Sequence, residues 1–364
     1  RKNPMGDNEK INLTMLTDFY ELTMANGYFE TGMADDIAYF DMFFRSVPDG
    51  GGFAVMAGVE QMIDYLDNLK FTDKDIDFLR SKGMFCEEFL EYLRNFKFSC
   101  DVWAVPEGTP IFPQEPIVTV KGPIIQAQFV ESMILLLINH QSLIATKANR
   151  IVRSAKGRGV MEFGTRRAHG TAAAVYGARA AYIGGCIGTA CTISDREDGI
   201  AALGTMAHSW VQMYENEYEA FKKYAEIYPD NCVLLVDTYN VLKSGVPAAI
   251  RVFKEMKPSK MGIRIDSGDV TYLTKQARKM LDEAGFEDCS IVVSNSLDEY
   301  IIRDVLLEGA CINSFGVGER LITAKSEPVF GGVYKLAALE KDGVMTPKMK
   351  ISENVEKITN PGFK

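Results

Sequence analysis

Side chains able to do chemistry stand at the ends of short apolar runs along the second half of the chain. The run over residues 200–206 ends in Ala207-His208-Ser209. The other runs end in equally polar tips, which are Gly164-Thr165-Arg166-Arg167, Gly188-Thr189, Asp237-Thr238, Arg264 with Asp266-Ser267-Gly268-Asp269, Ser294-Asn295-Ser296 and Gly316-Val317-Gly318-Glu319. Because the strands of a parallel barrel present their carboxyl ends at one rim, these tips are predicted to form a single polar pocket.

His208 is one of three histidines in the chain. Ser209 is predicted to cap a helix that begins at Trp210, which places the imidazole beside amides that favour anions. A histidine there suits phosphoryl transfer or acid–base chemistry. The alternative, a structural histidine bonded to a nearby carbonyl, stays open, and His140 and His169 are interpreted as structural.

Arginines and aspartates at the other tips are candidates for holding an anionic substrate. The planar guanidinium groups of Arg166 and Arg264 suit a carboxylate or a phosphate, although plain ion pairs are an equal alternative. Asp237, Asp266 and Asp269 could orient the histidine, bind ribose hydroxyls or hold Mg²⁺ through water. Helix capping competes with those roles, above all at Asp269.

Two further features favour a flat, phosphorylated ligand. The glycines Gly316 and Gly318 at a strand end would let backbone amides approach a phosphate. Tyr20 and Phe163 are candidate stacking partners for an aromatic ring, with ordinary core packing as the alternative for each.

A repeated strand–tip–helix unit is predicted to position these residues. The predicted strands cover residues 159–163, 182–188, 200–206, 232–236, 261–265, 290–293 and 311–315, with helices at 210–227, 268–284 and 297–307. Alternation of this kind predicts an α/β fold with a parallel sheet, and seven units favour an irregular, TIM-like barrel. The predicted domains are an N-terminal α+β domain at residues 1–122, the barrel at 123–330 and a C-terminal segment at 331–364.

Composition excludes several classes of protein. The 364 residues are 47% hydrophobic and carry a net charge of −9, which argues against nucleic-acid binding. No apolar run approaches the roughly 18 residues that span a bilayer, so no membrane association is expected. Seven cysteines without a C-x-x-C pair indicate reduced thiols in a cytoplasmic enzyme. The basic stretch from Lys147 to Arg158 is interpreted as a solvated helix face in preference to a polyanion site.

Several strings, taken together and in order, resemble the nicotinate phosphoribosyltransferase family over nearly the whole chain. They are Thr17-Asp18-Phe19-Tyr20-Glu21-Leu22-Thr23-Met24, Phe43-Phe44-Arg45, Glu162-Phe163-Gly164-Thr165-Arg166-Arg167, Gly204-Thr205-Met206-Ala207-His208-Ser209, Val236-Asp237-Thr238-Tyr239, Arg264-Ile265-Asp266-Ser267-Gly268-Asp269 and Phe315-Gly316-Val317-Gly318. Family members usually continue past Lys364 with a part that packs near the N-terminal domain. We therefore expect residues 331–364 to return toward that domain and the chain to be truncated.

The resemblance implies a reaction of nicotinate with phosphoribosyl pyrophosphate that gives nicotinate mononucleotide and pyrophosphate in NAD biosynthesis or salvage. It also implies coupled ATP hydrolysis with Mg²⁺. In that reaction ATP phosphorylates His208, Asp237 holds the other imidazole nitrogen, and Asp266 meets ribose hydroxyls.

The remaining roles are implied in the same way. Tyr20 and Phe163 would sandwich the pyridine ring, Arg264 would pair with its carboxylate, and Arg166 would help to fix base and phosphate. The 5′-phosphate pocket would be lined by Ser294, Asn295, Gly316 and Gly318. Arg45 would reach the pyrophosphate across the interface of a homodimer with shared active sites.

Three alternatives remain. A nicotinamide or quinolinate phosphoribosyltransferase of the same fold is the nearest, although a pocket with Arg264 for one carboxylate favours nicotinate. An α/β-barrel lyase or isomerase acting on a sugar phosphate predicts a catalytic lysine at a strand end, and the predicted tips carry none. A binding or scaffold protein would not need His208, Asp237 and Asp266 to converge.

Overall fold

The computed structural model describes residues 12–351, 353 and 358–363, which form two compact units. The first unit combines residues 1–142 with 329–364, and the second comprises residues 143–328. Residues 123–142, which the sequence assigned to the barrel domain, fall in the first unit.

Helices and strands alternate through most of the chain. The α-helices are α1 Phe19–Glu30, α2 Val59–Asp67, α3 Asp73–Ser81, α4 Glu87–Arg94, α5 Ile124–Phe129, α6 Glu131–Ser154, α7 Thr171–Ile183, α8 Thr192–Asp198, α9 His208–Gln212, α10 Glu217–Ile227, α11 Val246–Met256, α12 Val270–Glu283, α13 Glu299–Leu307 and α14 Glu319–Ile322. The strands are β1 Ile37–Phe44, β2 Ala54–Val55, β3 Asp101–Ala104, β4 Pro110–Ile111, β5 Val118–Pro123, β6 Gly159–Glu162, β7 Gly188–Thr189, β8 Cys232–Leu235, β9 Met261–Ile265, β10 Ser290–Ser294, β11 Ser314–Val317, β12 Gly332–Lys341 and β13 Val344–Pro347.

The first unit is built on an antiparallel sheet with the strand order β13-β12-β1-β5-β3. Seven of the eight residues of strand β1 are buried, so both of its faces are covered by the protein. The C-terminal strand β12 pairs with β1, and Phe40 stacks on Tyr334 with ring centroids 4.9 Å apart. The expectation that the C-terminal segment joins the N-terminal domain is therefore confirmed.

The second unit contains a curled parallel sheet with the strand order β7-β6-β11-β10-β9-β8. Apolar residues of β8 to β10 that face the surrounding helices, such as Leu234, Ile263 and Ile291, are fully buried. Residues of the same strands with the opposite parity, such as Arg264 and its register partner Val292, line the concave face. An α/β fold with an irregular barrel, as predicted from the sequence, is confirmed.

The predicted barrel differs from the structure at its edge. Residues 182 and 183 end α7, so that β7 covers only Gly188–Thr189, and residues 200–206 make a single parallel bridge through Ala202. Strand β11 begins three residues later than the predicted 311–315. Among the described residues no ladder joins β7 to β8, so the irregular barrel is a curled half-barrel sheet.

The predicted helix over residues 210–227 is two helices. The chain leaves α9 after Gln212, and Asn216 starts α10 by accepting a hydrogen bond from the backbone N–H of Glu219 at 3.1 Å. Asparagine at this capping position satisfies an otherwise unpaired amide, which explains why a new helix begins there.

Residues 124–154 form a helical segment that is long and apolar enough to cross a membrane by length and composition alone. Two-thirds of its most apolar window (67%) is buried inside the protein. A core helix of a globular protein passes the same test, so that this segment is weak evidence for a membrane span.

Lys147 on α6 does not lie on a solvated face, contrary to the sequence interpretation. Its ammonium group contacts Glu299 at 2.9 Å and Ser326 at 2.7 Å, and its side chain is only 3% exposed. Arg150 reaches the same carboxylate at 3.2 Å. Two residues of the basic stretch, Lys147 and Arg150, therefore form a buried ion pair with Glu299 that connects α6 to α13.

Removing one partner of this pair would leave a buried charge without compensation. We expect Glu299→Gln to lower the free energy of unfolding by about 3 kcal/mol, measured by urea denaturation. The control Glu283→Gln breaks an exposed pair with Lys279 and should cost less than about 1 kcal/mol. Equal effects of the two substitutions would contradict the importance of the buried pair.

Candidate active site

Three of the predicted catalytic side chains converge at the carboxyl ends of the parallel strands. His208 is the first residue of α9, and its imidazole is 41% exposed. Its Nε2 atom lies 4.0 Å from Oδ1 of Asp237 and 3.9 Å from Oδ2 of Asp266. Both separations exceed hydrogen-bond length, and they place two carboxylates beside one ring nitrogen.

The other imidazole nitrogen has a partner that the sequence did not single out. Nδ1 of His208 lies 3.1 Å from the Thr238 hydroxyl, so this threonine holds the ring. The orienting role of Asp237 stays a prediction. The prediction that Ser209 caps a helix starting at Trp210 is wrong, because α9 begins at His208 with Ala207 in the capping position and no side-chain cap.

Asp237 is anchored by its neighbours. Its side chain is 1% exposed, and Oδ2 accepts hydrogen bonds from the backbone N–H of Asp266 at 3.1 Å and the Ser267 hydroxyl at 2.6 Å. Asp266 in turn accepts a hydrogen bond at Oδ1 from the Ser294 hydroxyl at 2.7 Å. The two carboxylates are therefore fixed by the tips of β8, β9 and β10.

Arg264 projects from β9 into the concave face of the half-barrel. Its Nη1 donates to the Thr205 hydroxyl at 3.0 Å and its Nη2 to the Met206 carbonyl at 3.1 Å. Nε is buried and has no hydrogen-bond partner in the described part of the chain. Burial lowers the pKa of Arg264 against the opposing effect of Asp266 and Asp237, yet an arginine keeps its charge in proteins.

Arg264 and the aromatic residue Phe163 line the same cavity, which has a volume of about 300 Å³. Thr205 and Val292 are among the other residues that line it. The ring of Phe163 packs directly on Gly316, where a Cβ atom would come within 2.4 Å of the ring. The absence of a side chain at Gly316 therefore leaves the space that the Phe163 ring occupies, a role that the sequence analysis did not foresee.

The tip that carries Phe163 is itself fixed by a buried carboxylate. Glu162 accepts a hydrogen bond from the Thr189 hydroxyl at 2.6 Å and another from the backbone N–H of Gly164. Burial raises the pKa of Glu162 above its usual value, while both hydrogen bonds act against that shift. The sequence analysis assigned no role to this residue, although it lies within the string that resembles the family.

The remaining rim residues occupy varied environments. Arg166 is exposed on the turn Thr165–Arg167 and is close enough for its charge to act on Arg264. Asn295 is exposed and accepts a hydrogen bond from the Ser296 backbone, and Gly318 precedes the four-residue helix α14. Asp269 caps α12 by accepting from Tyr272 at 3.0 Å, the alternative foreseen for it.

Tyr20 and Arg45 belong to the first unit. Tyr20 is the second residue of α1 and is 46% exposed, whereas Arg45 directly follows β1 and is partly buried. The roles that the resemblance implies for both residues stay predictions.

Within the described residues no group of three or more His, Cys, Asp or Glu side chains could hold a metal ion. Magnesium in phosphate-transfer sites is usually bound by one or two carboxylates together with water and substrate phosphates. Asp266 is 38% exposed, and Oδ1 of Asp237 has no hydrogen-bond partner among the described residues. The pair therefore fits a magnesium ion that arrives with a phosphate ligand.

The fold and the rim together define an α/β protein with a curled parallel sheet and polar side chains that converge at the carboxyl ends of its strands. A family model described as the nicotinate phosphoribosyltransferase (NAPRTase) N-terminal domain matches residues 15–139. A second, described as the nicotinate phosphoribosyltransferase (NAPRTase) family, matches residues 159–359. The chain belongs to the nicotinate phosphoribosyltransferase family.

Individual relatives agree with this assignment. A nicotinate phosphoribosyltransferase of Bacillus subtilis is 48% identical over 354 residues, which cover 97% of this chain and 72% of the relative. One from Mycobacterium tuberculosis is 42% identical over 352 residues, which cover 96% and 74%.

Solved structures extend the comparison. The crystal structure of human nicotinic acid phosphoribosyltransferase matches with a TM-score of 0.80 and 30% identity, covering 92% of this chain and 76% of that one. A nicotinate-nucleotide pyrophosphorylase from Pyrococcus furiosus matches with a TM-score of 0.75 at 24% identity, covering 96% and 82%. The second likeness shows a shared fold only.

Next to Tyr20, a buried acid is predicted to make stability depend on pH. Burial raises the pKa of Glu21 to about 7, although a hydrogen bond of 2.9 Å from Gln128 acts against the shift. The folded chain therefore keeps a proton that the unfolded chain loses near pH ~4.3. Stability contributed by this group is present below that pH and is lost as the pH rises toward about 7.

We expect Glu21→Gln to remove most of this loss, so that the free energy of unfolding falls less between about pH 5 and about pH 8. Urea denaturation at both pH values measures the difference. Glu88→Gln on the exposed face of α4 is the matched control and should leave the wild-type slope unchanged. An unchanged slope in Glu21→Gln would show that Glu21 ionises normally.

Proposed function

We propose that this chain is a nicotinate phosphoribosyltransferase that forms nicotinate mononucleotide and pyrophosphate from nicotinate and phosphoribosyl pyrophosphate, with coupled ATP hydrolysis, in NAD biosynthesis. One observation carries the proposal for the base. The partly buried guanidinium of Arg264 and the ring of Phe163 line the same cavity. A flat aromatic ring with one carboxylate matches both walls.

The rim supplies what phosphoribosyl transfer needs. The anomeric carbon becomes cation-like while pyrophosphate leaves as an anion, so the enzyme must position both reactants and stabilise separated charge. Asp266, held by Ser294, would meet the ribose hydroxyls. The phosphate-pocket roles of Asn295, Gly316 and Gly318, and that of Arg166 toward base and phosphate, are part of this proposal.

His208 would accept the γ-phosphoryl group of ATP. Its Nδ1 lies beside the Thr238 hydroxyl, and its Nε2 lies about 4 Å from the Asp237 and Asp266 carboxylates. Magnesium held by Asp266 and Asp237 would neutralise phosphate charge there, and ATP energy would bias the site toward tight substrate binding.

The proposal includes an assembly and a location. We propose a cytoplasmic homodimer in which Arg45 reaches the pyrophosphate of the partner's site. Its support is the family membership of the chain.

The decisive assay mixes purified protein with phosphoribosyl pyrophosphate, Mg²⁺ and one of three bases, with and without ATP. We expect nicotinate mononucleotide by mass spectrometry from nicotinate, more of it with ATP, and little product from nicotinamide or quinolinate. The reason is that Arg264 can form a charge-assisted pair with the one carboxylate of nicotinate. Product from either of the other bases in preference to nicotinate would assign the chain to a sister activity.

His208→Ala tests the phosphohistidine separately. We expect ATP stimulation to disappear and turnover with ATP to fall by about 100-fold, because no other group would take the phosphoryl. Transfer of label from γ-labelled ATP to the protein should vanish as well. His140→Ala on α6 is the matched control and should keep both. Full ATP stimulation in His208→Ala would exclude the phosphohistidine while leaving the substrate assignment intact.

A further inference from the structure

The anchoring of Arg264 has a feature that the proposed reaction does not by itself explain. Both terminal nitrogens of the guanidinium donate to the segment that leads into His208, one to the Thr205 hydroxyl and one to the Met206 carbonyl. Only the first of these acceptors belongs to a side chain. A substitution at position 205 can therefore remove one anchor without touching the other.

The two anchors decide which donors remain for a ligand. Each terminal nitrogen of Arg264 donates one hydrogen bond to the protein, whereas Nε–H has no acceptor among the described residues. Because Nε is enclosed by the protein, the donors that remain for a ligand are the second hydrogens on the two terminal nitrogens. A guanidinium held in this way offers parallel donors, which match the two oxygens of a carboxylate.

A neutral amide fits the same donors poorly. It has a single acceptor oxygen, and in place of the second carboxylate oxygen its NH₂ group brings donors toward donors. Sites built around fixed polar groups discriminate strongly against ligands that leave those groups unpaired. Discrimination of this kind weakens when the guanidinium is free to rotate, because the remaining N–H groups then find other orientations.

We propose that Thr205 is a positioning residue that holds the Arg264 guanidinium for a carboxylate and thereby sets the selectivity of the site for aromatic acids over aromatic amides. The proposal rests on the proposed function and deepens it. Thr205 lines the same cavity as Arg264 and Phe163, so its hydroxyl acts beside the bound base.

The test compares Thr205→Val, which removes the hydroxyl at nearly constant shape, with Thr205→Ser, which keeps it. Steady-state kinetics with nicotinate and with nicotinamide are measured at saturating phosphoribosyl pyrophosphate and ATP, together with thermal unfolding. Loss of a hydrogen bond to a charged group predicts that the KM for nicotinate rises by about 10- to 100-fold in Thr205→Val. We expect kcat to change much less, and the ratio of kcat/KM for nicotinate over nicotinamide to fall.

Thr205→Ser should restore the wild-type KM and selectivity. Thr323→Val is a matched control, because that hydroxyl also makes a hydrogen bond, 2.7 Å to a backbone carbonyl, at an exposed position. It should leave KM and selectivity unchanged.

The possible outcomes separate the inference from the function on which it rests. A folded Thr205→Val enzyme with wild-type KM and selectivity would overturn the role of Thr205. So would a Thr205→Ser enzyme that behaves like Thr205→Val, because shape and not the hydroxyl would then matter. A wild-type enzyme that makes no nicotinate mononucleotide would instead overturn the proposed function.

Discussion

The constraint on which the site depends is the partial burial of a positive charge on the concave face of the parallel sheet. Arg264 comes from a strand whose neighbouring residues are fully buried, and it takes two acceptors from residues 205 and 206. A buried guanidinium without acceptors would carry a large desolvation penalty. Residues 200–206 make a single bridge to the sheet, and the same segment supplies both acceptors and leads into His208 at the start of α9.

The rim beyond Arg264 is a chain of hydrogen bonds between strand ends. The Ser294 hydroxyl fixes Asp266, the Asp266 backbone and Ser267 fix Asp237, and Thr238 holds the imidazole. The first two links join the tips of neighbouring strands, β10 to β9 and β9 to β8, and the third joins the tip of β8 to α9. Positioned charges of this kind suit a reaction whose main demand is stabilisation of separated charge.

Some strands and helices were predicted correctly from the sequence, and others were not. The strands β6, β8, β9 and β10 were predicted to within one residue, because continuous apolar runs ending in polar tips are typical of buried parallel strands. The edge at β7 and the break between α9 and α10 were not predicted. There the pattern is short, and the outcome depends on hydrogen bonds to distant residues such as Arg264, or on one capping side chain, Asn216.

The sequence by itself determined the fold class, the family and the set of polar residues at one rim, since these depend on local pattern and on the order of motifs along the chain. Only the tertiary structure decided which atoms meet. It assigned Nδ1 of His208 to Thr238, the Arg264 anchors to Thr205 and Met206, and the packing surface of Phe163 to Gly316. Contacts between residues far apart in sequence follow from strand register and side-chain direction, which one chain's local pattern does not encode.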